Sequence, residues 1–325
     1  MKRTRLYILL FLLLIFLIII DWRTGSLWIS DQAFFHSLFG ESAGAYHTII
    51  WEYRLPRILT AVFVGGGLGL AGLWMQTLFK NPIVGPYVLG LGGGAGLGVA
   101  VILMLFSMEN DSWISIAAAL GSIGVLLTDI YIYQRLKSPY ALLIIGIMIG
   151  AFSGSVLSIL SFFAPAGQLQ KFVFWSMGNL ALGWNAGLWI IIALVISGLF
   201  VSLFYTKYFN ALLIGDDYAS ALGANVRFLH LLLILMSGIL VGTMTSFTGT
   251  LAFVGLIAPH LAYLLFRTRL YQYMIPAVFL TGAILMVTSD FMAQLPGSDY
   301  SLPVNSITAL IGAPVVIRML WKNFR

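Results

Sequence analysis

The stretch RLPRILTAVFVGGGLGLAGLWMQTLFKNP, residues 54–82, decides the fold. Between Arg57 and Lys80 it carries no charged side chain. An uncharged apolar run of about 20 residues matches the ~30 Å hydrocarbon core of a bilayer when helical. Its ends are more elaborate than a lipid anchor needs. Arg54 and Arg57 bracket Pro56 at one end, Lys80-Asn81-Pro82 turn the chain at the other, and Gly90, Gly92, Gly93, Gly94, Gly96 and Gly98 follow.

The rest of the 325-residue chain is alike: 60% hydrophobic and 9% charged. A soluble domain carries about 25% charged residues, so this composition leaves no surface for water. The apolar segments are long and do not alternate, which points to helices and not to the ~10-residue strands of an outer-membrane barrel. The fold class expected is all-α: a polytopic membrane protein of about ten transmembrane helices, in one domain over 1–325. The spans fall near 6–20, 56–79, 86–106, 113–133, 140–163, 186–206, 228–248, 251–266, 272–295 and 303–321. The first and eighth are short for the core. The first starts like a signal peptide, but Asp21-Trp22-Arg23 stands where a cleavage site would, so a retained span is expected.

Charge orients the chain. With ten crossings both termini share a side. That side holds 13 of the 17 lysines and arginines, and the other holds only Arg23, Arg54, Arg57 and Lys171. The positive-inside rule puts both termini in the cytoplasm. Three segments do not span. Outer segment 21–53 carries Trp22, Trp28, Phe34, Phe35 and Trp51, suited to the interface; 164–185 is a second outer segment; 207–227 is the longest inner one. Within it Gly215-Asp216-Asp217-Tyr218-Ala219-Ser220-Ala221-Leu222-Gly223 reads as a short helix. Its acids sit at the positive end of the helix dipole and Gly223 ends it.

Most motif matches dissolve on inspection. Gly67-Leu68-Gly69-Leu70-Ala71-Gly72 fits G-x-G-x-x-G but lies in mid-span, where small residues serve close helix packing. Gly146, Gly150 and Gly154 repeat that packing signature, and the glycines at 90–98 allow close backbone approach or a broken helix. None of the six lysines follows a glycine, so there is no Walker A loop, and any ATP binds on another chain. The four histidines lack metal-ligand spacing, there is no cysteine, and no nucleophile constellation exists. The basic residues are dispersed, which argues against nucleic acid. Asp129 and Asp290 lie within spans, where an acid must face protein or water. Asp290 has no local partner; it reads as a carboxyl joining helices or, alternatively, as the coupling group of an ion- or proton-driven secondary transporter. Paired arginines at an outer span entrance, Arg54 and Arg57, suit docking of an acidic external partner.

Together Arg54-Leu55-Pro56-Arg57, Gln76 to Pro82, Pro86-Tyr87-Val88-Leu89-Gly90, Trp175 to Leu180, Gly215 to Val226, Phe253 to His260 and Leu302 to Pro314 resemble the permease subunit of ABC importers for iron-siderophore, haem and vitamin B12. The resemblance covers residue 50 to the end. It implies a ten-helix permease in the cytoplasmic membrane, paired with a second copy as a homodimer around a translocation path. It also implies two ATPase subunits inside, holding the ATP and Mg, and a periplasmic or lipoprotein substrate-binding protein outside. No cofactor is expected on this chain, and it is not itself an enzyme. The resemblance assigns docking to Arg54 and Arg57, ATPase coupling to Gly215, Asp216, Asp217, Ala219, Leu222 and Gly223, and the inner gate to Ser138, Pro139 and Tyr140. Four positions depart from the family pattern. Gly85 stands for an acid, Tyr263 and Gln294 for arginines, and Asn305 for a glycine.

Overall fold

The computed structural model describes residues 2–25, 29–30, 34, 36–37, 44–295 and 301–323. Trp28 and Phe35 lie outside them. Thirteen helices are described: α1 Lys2–Arg23, α2 Ala45–Leu78, α3 Leu91–Leu105, α4 Asp111–Leu136, α5 Pro139–Phe163, α6 Ala166–Ser176, α7 Ala186–Phe204, α8 Thr206–Ile214, α9 Asp216–Ala221, α10 Val226–Thr248, α11 Val254–Phe266, α12 Tyr271–Ala293 and α13 Val304–Asn323. Seven are long and apolar enough to cross a membrane (α1, α2, α4, α5, α7, α10, α12), and α3, α11 and α13 are shorter apolar helices. These ten correspond to the ten expected spans.

Boundaries differ in three places. First, α1 runs on through Asp21-Trp22-Arg23, which makes it full length. Second, α2 begins at Ala45, so part of the expected outer loop is helix. Pro56 lacks the N–H that would bond back one turn, and the helix absorbs this by widening into a π turn over Ile49–Arg54. Third, the third span is broken. A 3₁₀ turn over Pro86–Leu89 precedes Gly90, whose φ of +77° only glycine adopts readily, and α3 follows.

Helix α2 is the axis of the bundle and almost wholly buried. In lipid there is no hydrophobic drive between helices, so they associate by close van der Waals contact. The mid-span glycines provide it. A Cβ on Gly72 would lie 1.6 Å from the carbonyl oxygen of Gly255 in α11, and one on Gly65 would lie 2.3 Å from that of Gly282 in α12. Gly94 and Gly121 hold α3 on α4 in the same way. Helix α7 closes on α2 where Trp74, fully buried, donates its indole N–H to Ser202 Oγ at 2.9 Å. Of the three α5 glycines, Gly146 packs on the carbonyl of Val88, whereas Gly150 and Gly154 face open space. The packing expectation therefore holds for Gly146 and in part for Gly150, whose Cα would lie 3.3 Å from a Cβ on Gly93, and not for Gly154.

Between α10 and α11 the backbone leaves helical geometry, with positive φ at Gly249 and Phe253. Such backbone survives near a membrane core only if its polar groups are met by protein. Leu251 N–H donates to the Tyr87 hydroxyl (3.2 Å) and Ala252 N–H to Asn305 Oδ1 (3.0 Å). Asn305, where the family pattern has glycine, is thus a built-in acceptor for this stretch.

Candidate functional site

The expected site residues fall at the two ends of the bundle, called outer and inner after the lysine–arginine asymmetry of the sequence. At the outer end, Arg57 in the first α-helical turn after Pro56 reaches Asp290 near the end of α12. Its Nε donates to both carboxylate oxygens (3.0 and 2.9 Å) and its Nη2 to Oδ1 (2.8 Å). Asp290 is fully buried, while the Arg57 side chain keeps 23% of its surface. Gln294, one turn beyond Asp290, donates its amide to Asp290 Oδ2 (3.0 Å) and to Asp21 Oδ1 (2.9 Å) at the end of α1. One amide therefore bridges two carboxylates and ties α12 to α1. Asp21 Oδ2 has no hydrogen-bond partner among the described residues.

Arg54, 8% exposed, turns back over the end of α1 and donates Nη1 to the carbonyl oxygens of Trp22 (3.0 Å) and Arg23 (2.8 Å). Gly25 leaves room for it: a Cβ there would lie 2.8 Å from the guanidinium. The two arginines share one end of the bundle and are turned into it. Asp290 has its partner in Arg57, 233 residues away, so the carboxyl joins helices. Indoles surround this end. Trp22 lies edge-on to Trp51 with centroids 5.7 Å apart, and Trp184 donates to the Trp51 carbonyl (2.8 Å).

At the inner end, α8 and α9 form the expected short-helix pair. Asp216 and Asp217 open α9. Its end is a Schellman closure: Gly223, at φ +80°, donates to the Ser220 carbonyl and Ala224 to the Ala219 carbonyl. Ala219 is fully buried and pins the helix, leaving Tyr218 and Leu222 exposed, with Ile214 exposed at the end of α8. Asp216 also faces inward. It pairs with Lys80 Nζ at 3.0 Å and lies 3.6 Å from His230 Nε2, and His230 Nδ1 hydrogen-bonds the buried Tyr133 hydroxyl at 2.8 Å. A polar chain thus runs from the first turn of α9 through α10 to α4 and touches the turn after α2. Sequence reasoning missed Lys80, His230 and Tyr133, because none is near Asp216 in the chain.

The turn into α5 is sharp. Lys137 takes a left-handed conformation, Ser138 Oγ caps the helix by accepting Ala141 N–H (3.3 Å), and Pro139 starts it. Tyr140, 71% exposed, projects from its first turn. Only a small share of α5 is buried; Ile144, Ile147, Met148 and Phe152 are exposed beside the open flanks of Gly150 and Gly154. Tyr263, where the family pattern has arginine, has Arg269 from the next turn over its ring, 5.1 Å from the centroid.

Residues 13–322 match the model of the FecCD transport family. The chain is 32% identical over 278 residues to the vitamin B12 import system permease protein BtuC of Photorhabdus laumondii, covering 84% of this chain and 82% of that one. It is also 32% identical over 324 residues to the hemin transport system permease protein HmuU of Yersinia pestis, covering 97% and 94%. Among solved structures it superposes at a TM-score of 0.87 and 28% identity, over 98% of its length and 99% of the other's, on a chain described as an inward-facing conformation of a metal-chelate type ABC transporter. Motif order, helix order and the comparisons agree: the chain belongs to the FecCD transport family.

Proposed function

We propose that this chain is the permease subunit of an ATP-driven importer that moves a bulky metal chelate or corrinoid across the cytoplasmic membrane. The observation that carries the reading is family membership over residues 13–322 together with a docking-ready inner helix pair. α9 is held on its inner side by Lys80, His230 and Ala219, and the helix pair presents Ile214 at the end of α8 and Tyr218 and Leu222 at α9 outward. Two separate ATPase subunits bind there, supply ATP and Mg, and move α8 and α9. A substrate-binding protein docks at the outer end, where the Arg57 side chain keeps 23% of its surface. Two copies pair as a homodimer; support comes from the apolar, weakly buried α5 with the open flanks of Gly150 and Gly154. Tyr140 and the Ser138-Pro139 turn stand at the inner mouth of that face as the gate. The cycle is a rigid-body alternation between two states. The motive for a secondary transporter coupled through Asp290 is gone, since Arg57 holds that carboxyl.

The test is reconstitution with the ATPase and binding protein. ATP hydrolysis is measured with the binding protein empty or loaded with ferric siderophore, haem or vitamin B12. Stimulation by one of these identifies the cargo. Uptake that continues without ATP but stops when the ion gradient is collapsed would sink the reading. Charge reversal at Arg57 (Arg57→Glu) should weaken binding-protein docking, and full-strength docking by that variant would remove its docking role.

A further inference from the structure

A cavity of about 280 Å³ opens on the basic face between the end of α2, α11 and the start of α12. Its polar lining carries donors: Lys80 and Asn81 from the turn after α2, His260 from α11 and Arg269 from the α11–α12 turn. Among the described residues no carboxylate lines it, and Leu73, Pro259 and Met274 form its apolar walls. Asp216 pairs with Lys80 but is not in the lining. Arg269 and Leu213 also line an adjoining cavity of about 300 Å³, where Lys207 and Asn210 add further donors. The surroundings are those of a membrane interface. Arg269 stacks on Tyr263, and Arg3 sits 4.2 Å over the ring of Tyr273. A concave site with cations at its mouth, no acid in its wall and apolar depth matches a phosphate with hydrocarbon attached. Basic pockets between spans on the cytoplasmic side take headgroups of this kind.

We infer that this cavity binds a phosphate group at the cytoplasmic surface, that of an anionic phospholipid headgroup or a soluble phosphate. Lys80 and Arg269 hold the charge, and Asn81 and His260 donate beside them. The inference does not rest on transport.

Each basic side chain near an anionic membrane surface contributes about fivefold to affinity, so loss of two should weaken binding about 30-fold. The full chain is purified in phosphatidylcholine nanodiscs doped with phosphatidylglycerol, and retained lipid is counted by native mass spectrometry. K80Q/R269Q is compared with R135Q/K137Q, which removes two cations from the same face outside the cavity. Retention by wild type and R135Q/K137Q, with loss in K80Q/R269Q, supports the lipid source. A thermal shift of wild type by millimolar inorganic phosphate in pure phosphatidylcholine, absent in K80Q/R269Q, supports the soluble source. The conservative Arg269→Lys should retain binding in either arm, which separates lost charge from lost fold. Equal behaviour of the two double variants in both arms would overturn the site.

Discussion

The Arg57–Asp290 pair permits a quantitative test. Asp290 is fully buried and takes three contacts of 2.8–3.0 Å from one guanidinium. Removing one partner of a buried pair costs about 3–5 kcal/mol, because the other charge is left uncompensated. Arg57→Met leaves Asp290, among the described residues, with only the Gln294 amide, so the cost should be about 3 kcal/mol. Asp290→Leu should cost less, about 2 kcal/mol, since Arg57 is 23% exposed and can turn its charge outward. The double variant replaces a polar pair with apolar groups, which is often close to neutral; about 1 kcal/mol of loss is expected. The double-mutant cycle therefore gives a coupling near 4 kcal/mol. The assay is unfolding of the purified chain in mixed micelles by denaturing-detergent titration, followed by tryptophan fluorescence. Coupling below about 1 kcal/mol, or a double variant as damaged as both singles added, would refute the idea that this pair holds α2 to α12.

Gly72→Ala should destabilise by about 3 kcal/mol or prevent accumulation in the membrane, since its Cβ would lie 1.6 Å from a backbone oxygen; Gly150→Ala, with open space around it, should be neutral or up to about 1 kcal/mol stabilising in the monomer. The same micelle titration separates them, and equal losses would contradict the packing. Gly223→Val forces a branched residue to φ +80° and should cost about 1–2 kcal/mol locally; hydrogen exchange over 216–224 should rise, and ATPase copurification should fall. Tyr133→Phe removes the bond to His230 Nδ1, at about 1 kcal/mol, and should raise exchange at the start of α9 although residue 133 lies in another helix; no change there would break the proposed chain from α4 to Asp216.

Much of this was legible without coordinates. Apolar length located ten helices, because bilayer thickness acts on every span alike. The Asp216–Gly223 helix was legible because its start and stop are local chemistry. What stayed hidden is what depends on distant residues. Asp290 shows no partner within its own span because the partner is one helix of the bundle away. Arg54 and Arg57 read as outward cations because a pattern cannot show that the end of α1 and Asp290 lie within their reach. Gly146 and Gly150 look alike in sequence, yet only at Gly146 would a Cβ strike a backbone in this chain. Two departures from the family pattern make sense only in three dimensions: Gln294 bridges two carboxylates that lie together, and Asn305 Oδ1 accepts the hydrogen bond from Ala252 N–H.

These placements bear on how the two ends communicate. Arg57 sits in the first turn after Pro56 and Lys80 just past the end of α2. At 1.5 Å per residue they are separated by about 35 Å, roughly the membrane core. One helix therefore carries both the outer ion pair and the cation that touches Asp216 of α9. That helix is pressed backbone to backbone on α11 and α12 at Gly72 and Gly65, and close-packed elements slide or rotate as units more readily than they bend. A push on α9 then reaches the outer end as displacement of the α2–α11–α12 block, with little cost in internal strain. Helix α5 is different: it buries only a small share of its length, and the turn joining it to α4 rests on one Ser138 cap and one left-handed Lys137. Relative motion should concentrate at that hairpin, which is where Tyr140 and the open glycine face lie.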